Sequence, residues 1–96
     1  MPLFHFIGLD RKDSREKRME VRPEHLKYAD AHTRLGGALL DADGLPIGSV
    51  MIVEAENIEE AQVKMANDPY AKAGIFESTE LRPWRVAIGS IEGYQA

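Results

Sequence analysis

Apolar residues fall in short runs separated by charged stretches along the chain. Leu3 to Leu9 is apolar, rich in Phe and Ile, has Gly8 near its end and meets charge at Asp10, which predicts a buried strand. From Asp13 to Val21 the run Asp-Ser-Arg-Glu-Lys-Arg-Met-Glu-Val follows a capping-type start at Asp13 or Ser14 and predicts a mostly solvated helix. Arg22-Pro23 interrupts it, because proline disfavours the helical region at the residue before it yet suits the first turn of a new helix. A second helix is therefore expected from about Pro23 to Leu35, closed by Gly36-Gly37.

Ala38 to Ala42 and Ser49 to Glu56 are strand-like runs joined by Asp43-Gly44-Leu45-Pro46-Ile47-Gly48, a segment dense in turn formers, and together they predict a hairpin. Asn57 with Glu60 forms the Asn variant of a capping box and opens a helix to about Asn67. Asp68-Pro69-Tyr70 then starts a short helical turn, with Asp68 as its N-cap, Pro69 at its first position and Gly74 at its end. Ile75 to Ile88 reads as a final long strand, and Ser90 to Ala96 as a loose tail, so the expected domain spans 1–89 and the tail 90–96. The order β-α-(α)-β-β-α-β with right-handed crossovers predicts an α+β, ferredoxin-like split βαβ fold: a four-stranded antiparallel sheet with helices on one face. Strands in such a sheet should alternate, yet Ser49 to Val53 and Leu3 to Ile7 are apolar on both faces. The pattern leads us to expect a second copy of the chain on the open face, giving a homodimer.

Composition narrows the functional classes. Ninety-six residues at 44% hydrophobic and 29% charged content suit one domain. A net charge of −4 argues against a chain built to coat nucleic acid or anionic lipid, so neither nucleic acid nor a membrane is an expected partner. The absence of cysteine excludes disulfides, thiolate metal sites and cysteine nucleophiles. The N-terminal stretch lacks a basic region before its apolar run, and no stretch approaches the roughly 18 apolar residues of a membrane span, so a soluble cytoplasmic protein is expected. His25 and His32, seven residues apart, lie about 10.5 Å from each other along a helix, too far to share one ion, and no metal is expected. No glycine cluster matches a phosphate-cradling loop. Arg15, Lys17 and Arg18 alternate with Glu16 and Glu20, which reads as a solvated helix with local ion pairs.

More specific are Asp13-Ser14, Glu16-Lys17-Arg18, Val21-Arg22-Pro23-Glu24-His25-Leu26, Gly48-Ser49, the run Asp68-Pro69-Tyr70-Ala71-Lys72-Ala73-Gly74-Ile75-Phe76-Glu77, and Arg82-Pro83-Trp84. In this order they resemble the YciI-like (YCII-related) family from the first strand to about Val86. The resemblance implies a dimeric ferredoxin-like domain, an α+β barrel-type association, and a pocket centred on a histidine and an aspartate. Similarity to dehydrochlorinase members, which act on hydroxylated chloroaromatic compounds, points to acid/base elimination without a cofactor.

On this footing His25, on the first turn after Pro23, is the expected general acid/base, because imidazole moves protons near neutral pH. A lone histidine is more often a surface residue, and it is the family motif that reverses this weighting. Asp68 is both an N-cap and the candidate partner of His25, where a carboxylate would fix the tautomer and stabilise the imidazolium. Ser49, after Gly48, is expected to bind a polar substrate group rather than act as a nucleophile, since no Gly-x-Ser-x-Gly elbow surrounds it. Arg22 is suited to clamp a carboxylate or phenolate and Tyr70 to offer a ring with a polar tip, although packing explains both equally well. Trp84 reads as an interface residue. The alternative to an enzyme is a ligand-binding or regulatory dimer that uses the same pocket without turnover.

Overall fold

The computed structural model describes residues 1–92. Its elements are β1 (Leu3–Asp10), α1 (Arg15–His32), β2 (Leu35–Leu40), β3 (Pro46–Glu54), α2 (Ile58–Ala66), α3 (Pro69–Lys72) and β4 (Phe76–Trp84). The sheet order is β2-β3-β1-β4, and every neighbouring pair is antiparallel. This is the ferredoxin-like α+β arrangement that the element order predicts.

Period two along the central strands places the core. Phe4 and Phe6 of β1 pair with Val53 and Met51 of β3, and these four side chains point to the helical face. There they meet Ala61 and Met65 of α2, Tyr70 of α3, and Ile75 and Phe76. On the other face Leu3 and Ile52 are buried, Ile7 and Val50 are half-buried, and Leu9, Leu35 and Trp84 are exposed.

Several boundaries differ from the sequence reading, each for a local reason. The two helices expected on either side of Arg22-Pro23 are one helix, with Pro23 inside it. Pro23 lies on the exposed side, as does Met19 one turn earlier, so water can hydrate the carbonyl that lacks its usual N–H partner. The helix stops at His32 rather than Leu35, because Thr33 turns extended and donates from both N–H and Oγ1 to the Ala29 carbonyl. Gly36-Gly37 is therefore no helix terminator but part of β2, where a Cβ on Gly36 would stand 3.1 Å from Met51 Cγ. β2 ends at Leu40 rather than Ala42, since the Asp41 carboxylate accepts from the N–H groups of Asp43 and Leu45 and folds the connection into a tight turn. β3 correspondingly starts at Pro46 and ends at Glu54, not Glu56. β4 ends at Trp84 rather than Ile88, because Trp84 pairs with Leu3, the first residue of β1, and beyond it there is no strand to bond.

The expected loose tail falls partly on residues 93–96, which lie outside the described residues. In its described part, the Glu92 carbonyl accepts from Arg34 Nη2 at 3.0 Å, just before β2, on the opposite edge of the sheet from β4. Among the described residues no helix is long and apolar enough to cross a membrane.

Candidate functional site

α1 and α3 face each other across the helical layer, and their meeting point is built by a cap. Asp68 sits ahead of Pro69 in extended conformation, and its Oδ1 accepts from the Tyr70 N–H at 2.8 Å. The carboxylate is fully buried and needs more than one donor. α1 supplies the second: His25 Nδ1 lies 2.8 Å from Asp68 Oδ1 and 3.0 Å from Oδ2. With a carboxylate on one side, Nδ1 carries the hydrogen and Nε2 is the free nitrogen. Nε2 has no protein partner among the described residues, and His25 lines a cleft of about 420 Å³ between α1, β2 and β3.

Tyr70 follows directly from the cap and forms the next layer. It is only 1% exposed, and its ring stacks on the imidazole of His25 with centroids 3.8 Å apart and planes 8° from parallel. On the same ring lies Arg18, its guanidinium carbon 4.6 Å from the centroid. Burial pushes the Tyr70 phenol above its ordinary 10.0; the charges of Arg18 and Arg22 pull against that rise and Asp68 adds to it. The phenol is thus protonated at neutral pH.

Arg18 is the residue that sequence reasoning missed. Read as part of a solvated charged helix, it is instead 6% exposed, with Nε donating to Asp10 Oδ2 at 2.8 Å. Its Nη2 donates to the Gly48 carbonyl at 2.7 Å and to Ser49 Oγ at 2.6 Å. The signal that separates it from Lys17 is helical spacing: Arg18, Arg22 and His25 stand at i, i+4 and i+7, which is one face of α1. Gly48 is required here on steric grounds, because a Cβ would come 2.5 Å from the Gly8 carbonyl across the β1–β3 pairing.

The structure brings five of the singled-out residues together. His25, Ser49, Tyr70 and Arg22 line the cleft, and Asp68 lies directly behind His25. Arg22 is exposed at the rim. Arg34 and Asp30 also line the cleft, neither of them singled out from the sequence. Trp84 is elsewhere, on the helix-free side of the sheet opposite Leu3. His32 stacks on Tyr28, with centroids 4.2 Å apart, and does not reach the cleft.

Protein YciI of Escherichia coli and of Shigella flexneri is in each case 34% identical over 96 residues, covering 86% of this chain and 96% of the relative. Among solved structures, the 5-chloro-2-hydroxyhydroquinone dehydrochlorinase TftG of Burkholderia phenoliruptrix, in complex with 2,5-dihydroxybenzoquinone, superimposes with a TM-score of 0.81 at 33% identity, covering 88% of this chain and 95% of that one. Protein Atu4242 of Agrobacterium tumefaciens shares the fold alone, with a TM-score of 0.55 at 14% identity over 91% of this chain and 94% of its own. Residues 3–85 match the YCII-related domain, and with relatives this similar over most of its length the chain belongs to the YCII-related, YciI-like family.

Proposed function

We propose that this chain is a small-molecule enzyme of the acid/base elimination type, with His25 as the proton-transfer group and Asp68 as the residue that holds it. The observation that carries the reading is the pairing of a fully buried Asp68 with His25 Nδ1, which leaves Nε2 as the free basic nitrogen at a cleft. A base held this way is positioned before substrate arrives, and the carboxylate stabilises the imidazolium once the proton has moved. Ser49 and Arg22 hold polar groups of the substrate, and Tyr70 fixes the imidazole plane by stacking. Ser49 is no nucleophile here: its oxygen already accepts from Arg18, and its hydroxyl hydrogen remains for a ligand oxygen.

The substrate class is a polar or hydroxylated, halogenated aromatic compound. The reaction is loss of hydrogen halide: the ring takes a proton at the halogen-bearing carbon as its neighbouring hydroxyl gives up its own and becomes a carbonyl, Nε2 then removes the proton of the hydroxyl para to that carbonyl, and the freed O–H pair forms the second carbonyl while the displaced ring pair expels the halide with the carbon–halogen pair. Products are a quinone-type ring and hydrogen halide, and the balance needs no external oxidant or reductant. The relative with the dehydrochlorinase activity supports this class through 33% identity across nearly the whole chain.

The test is chloride release from hydroxylated chloroaromatic compounds by the wild-type chain, with His25→Gln and Asp68→Asn beside it. Halide in excess of protein, lost in His25→Gln, is the expected result. Intact compound recovered after long incubation, or halide release unchanged in His25→Gln, overturns the reading in favour of a binding protein.

A further inference from the structure

We infer that two copies of the chain pair across the helix-free face of the sheet while His5 is neutral, and separate when His5 takes up a proton. The feature lies on the side of the sheet away from the cleft, so the inference is independent of the acid/base reading.

β1 is a central strand, between β3 and β4. Phe4 and Phe6 point to the helices, so His5 between them points to the other face, where it is half-buried. Its neighbours along the strand are Leu3 and Ile7, and across from it stand Ile52 of β3 and Arg82 of β4. Next to these on the same face come Val50 and Glu54 from β3, and Glu80 and Trp84 from β4. Arg82 holds the Glu80 carboxyl below its ordinary range by hydrogen bond and charge, and His5 is near enough to add to the effect.

This face carries charge, but in balance. Arg82 donates to Glu80, and Arg34 Nη1 stands 3.7 Å from the Glu54 carboxylate. The segment after β4, which reaches Arg34 at Glu92, adds one charge of each sign in Arg85 and Glu92. A chain with a net charge of −4 repels its own copies as a whole, whereas here it offers a neutral surface. Around half-buried Ile7 and Val50 that surface exposes Leu9, Leu35 and Trp84. The same face of a second copy fits it, because two balanced, apolar surfaces meet without opposing like charges. A strongly acidic or basic partner finds no net charge to complement.

His5 is the group on this face whose charge changes near neutral pH, since His25 and His32 belong to α1 on the other side of the sheet. An isologous pairing takes the imidazoles of both copies into one interface, so protonation adds two like charges at once. Each arrives beside an Arg82 whose Glu80 is already engaged. The separated chains then bind protons that the pair does not, so association is complete above the imidazole range and is lost as pH falls through it. With two imidazoles the loss reaches about a hundredfold in Kd one unit below the ordinary histidine value. The rest of the chain pulls the opposite way: acidification toward the pI of about 5.3 removes net negative charge, which by itself draws copies together. A pair that loosens on acidification therefore reports the imidazole.

Sedimentation over a dilution series, at about pH 7.5 and about pH 5.5, gives the dimer Kd of the wild-type chain, of His5→Gln and of His5→Arg, with a thermal melt to establish that each is folded. The wild type is expected to lose tenfold or more in affinity at the lower pH. His5→Gln is expected to keep its affinity within twofold across the two, and His5→Arg, charged throughout, to be weakened already at the higher one. A smaller loss or a tighter pair for the wild type at the lower pH, an equal loss in His5→Gln, or a single mass for the wild type at the higher pH overturns the inference. The readout is mass and not turnover, so failure of the acid/base reading leaves this one standing, and the reverse.

Discussion

At the scale of the residue, the site depends on which atom of Asp68 faces which donor. Asp68→Asn keeps an oxygen at Oδ1, which faces both the Tyr70 N–H and His25 Nδ1, but replaces the carboxylate by an uncharged amide, so an imidazolium formed during turnover loses its counter-charge. Turnover is expected to fall by about two to four orders of magnitude with little loss of stability. Tyr70 makes a second prediction, about pH. Its raised phenol pKa means that between 10.0 and the folded value the native state keeps a proton the unfolded chain has lost, so the stability it contributes is complete below 10.0 and is lost as pH rises through the folded pKa. Ultraviolet titration should show a phenol ionising later than a free tyrosine, and Tyr70→Phe should flatten that part of the stability curve. His25 and Asp68 were legible through motif, and Asp68 also through its cap; Arg18 was not, because a charged residue among charges looks solvated until the face it lies on is known.

At the scale of the element, what the sequence made legible was the order and type of the strands and helices, and what it hid was their ends. An end set by the chain itself was readable: Asn57 caps α2 by accepting from Glu60 N–H at 2.9 Å, as its spacing predicts. The reciprocal half of that box is replaced, since the Glu60 carboxylate lies 3.6 Å from Lys64 instead. Asn57→Ala should cost about 1 kcal/mol, measured by urea denaturation. Ends set by a neighbour were not readable, as with Trp84, which stops β4 only because Leu3 starts β1. Pro23 misled for a further reason: its local cost of about 3 kcal/mol in a helix interior is outweighed by one helix holding Arg18 and His25 in register. Pro23→Ala should therefore stabilise the chain by about 2 kcal/mol, part of the gain being offset by a freer unfolded state, and the denaturant midpoint should rise accordingly.

At the scale of the molecule, the helix-free face of the sheet carries Leu9, Leu35 and Trp84 exposed beside half-buried Ile7 and Val50. We expect a second copy to cover it, so sedimentation at micromolar concentration should give twice the 10.7 kDa of one chain, and Leu9→Glu with Trp84→Arg should give the single mass. A single mass for the wild type would leave the face open and remove that expectation. The cap at Asp68 bears on the history of such a chain as well. One side chain starts α3 and orients the imidazole, so selection for folding preserves a capping residue at position 68, aspartate or asparagine, whether or not any substrate is ever turned over. The opposite is true of His25, whose place against Asp68 another N–H donor such as glutamine can fill. In a lineage that gave up its chemistry a capping residue is expected to stay at position 68 while the histidine drifts, which a set of aligned homologues would show.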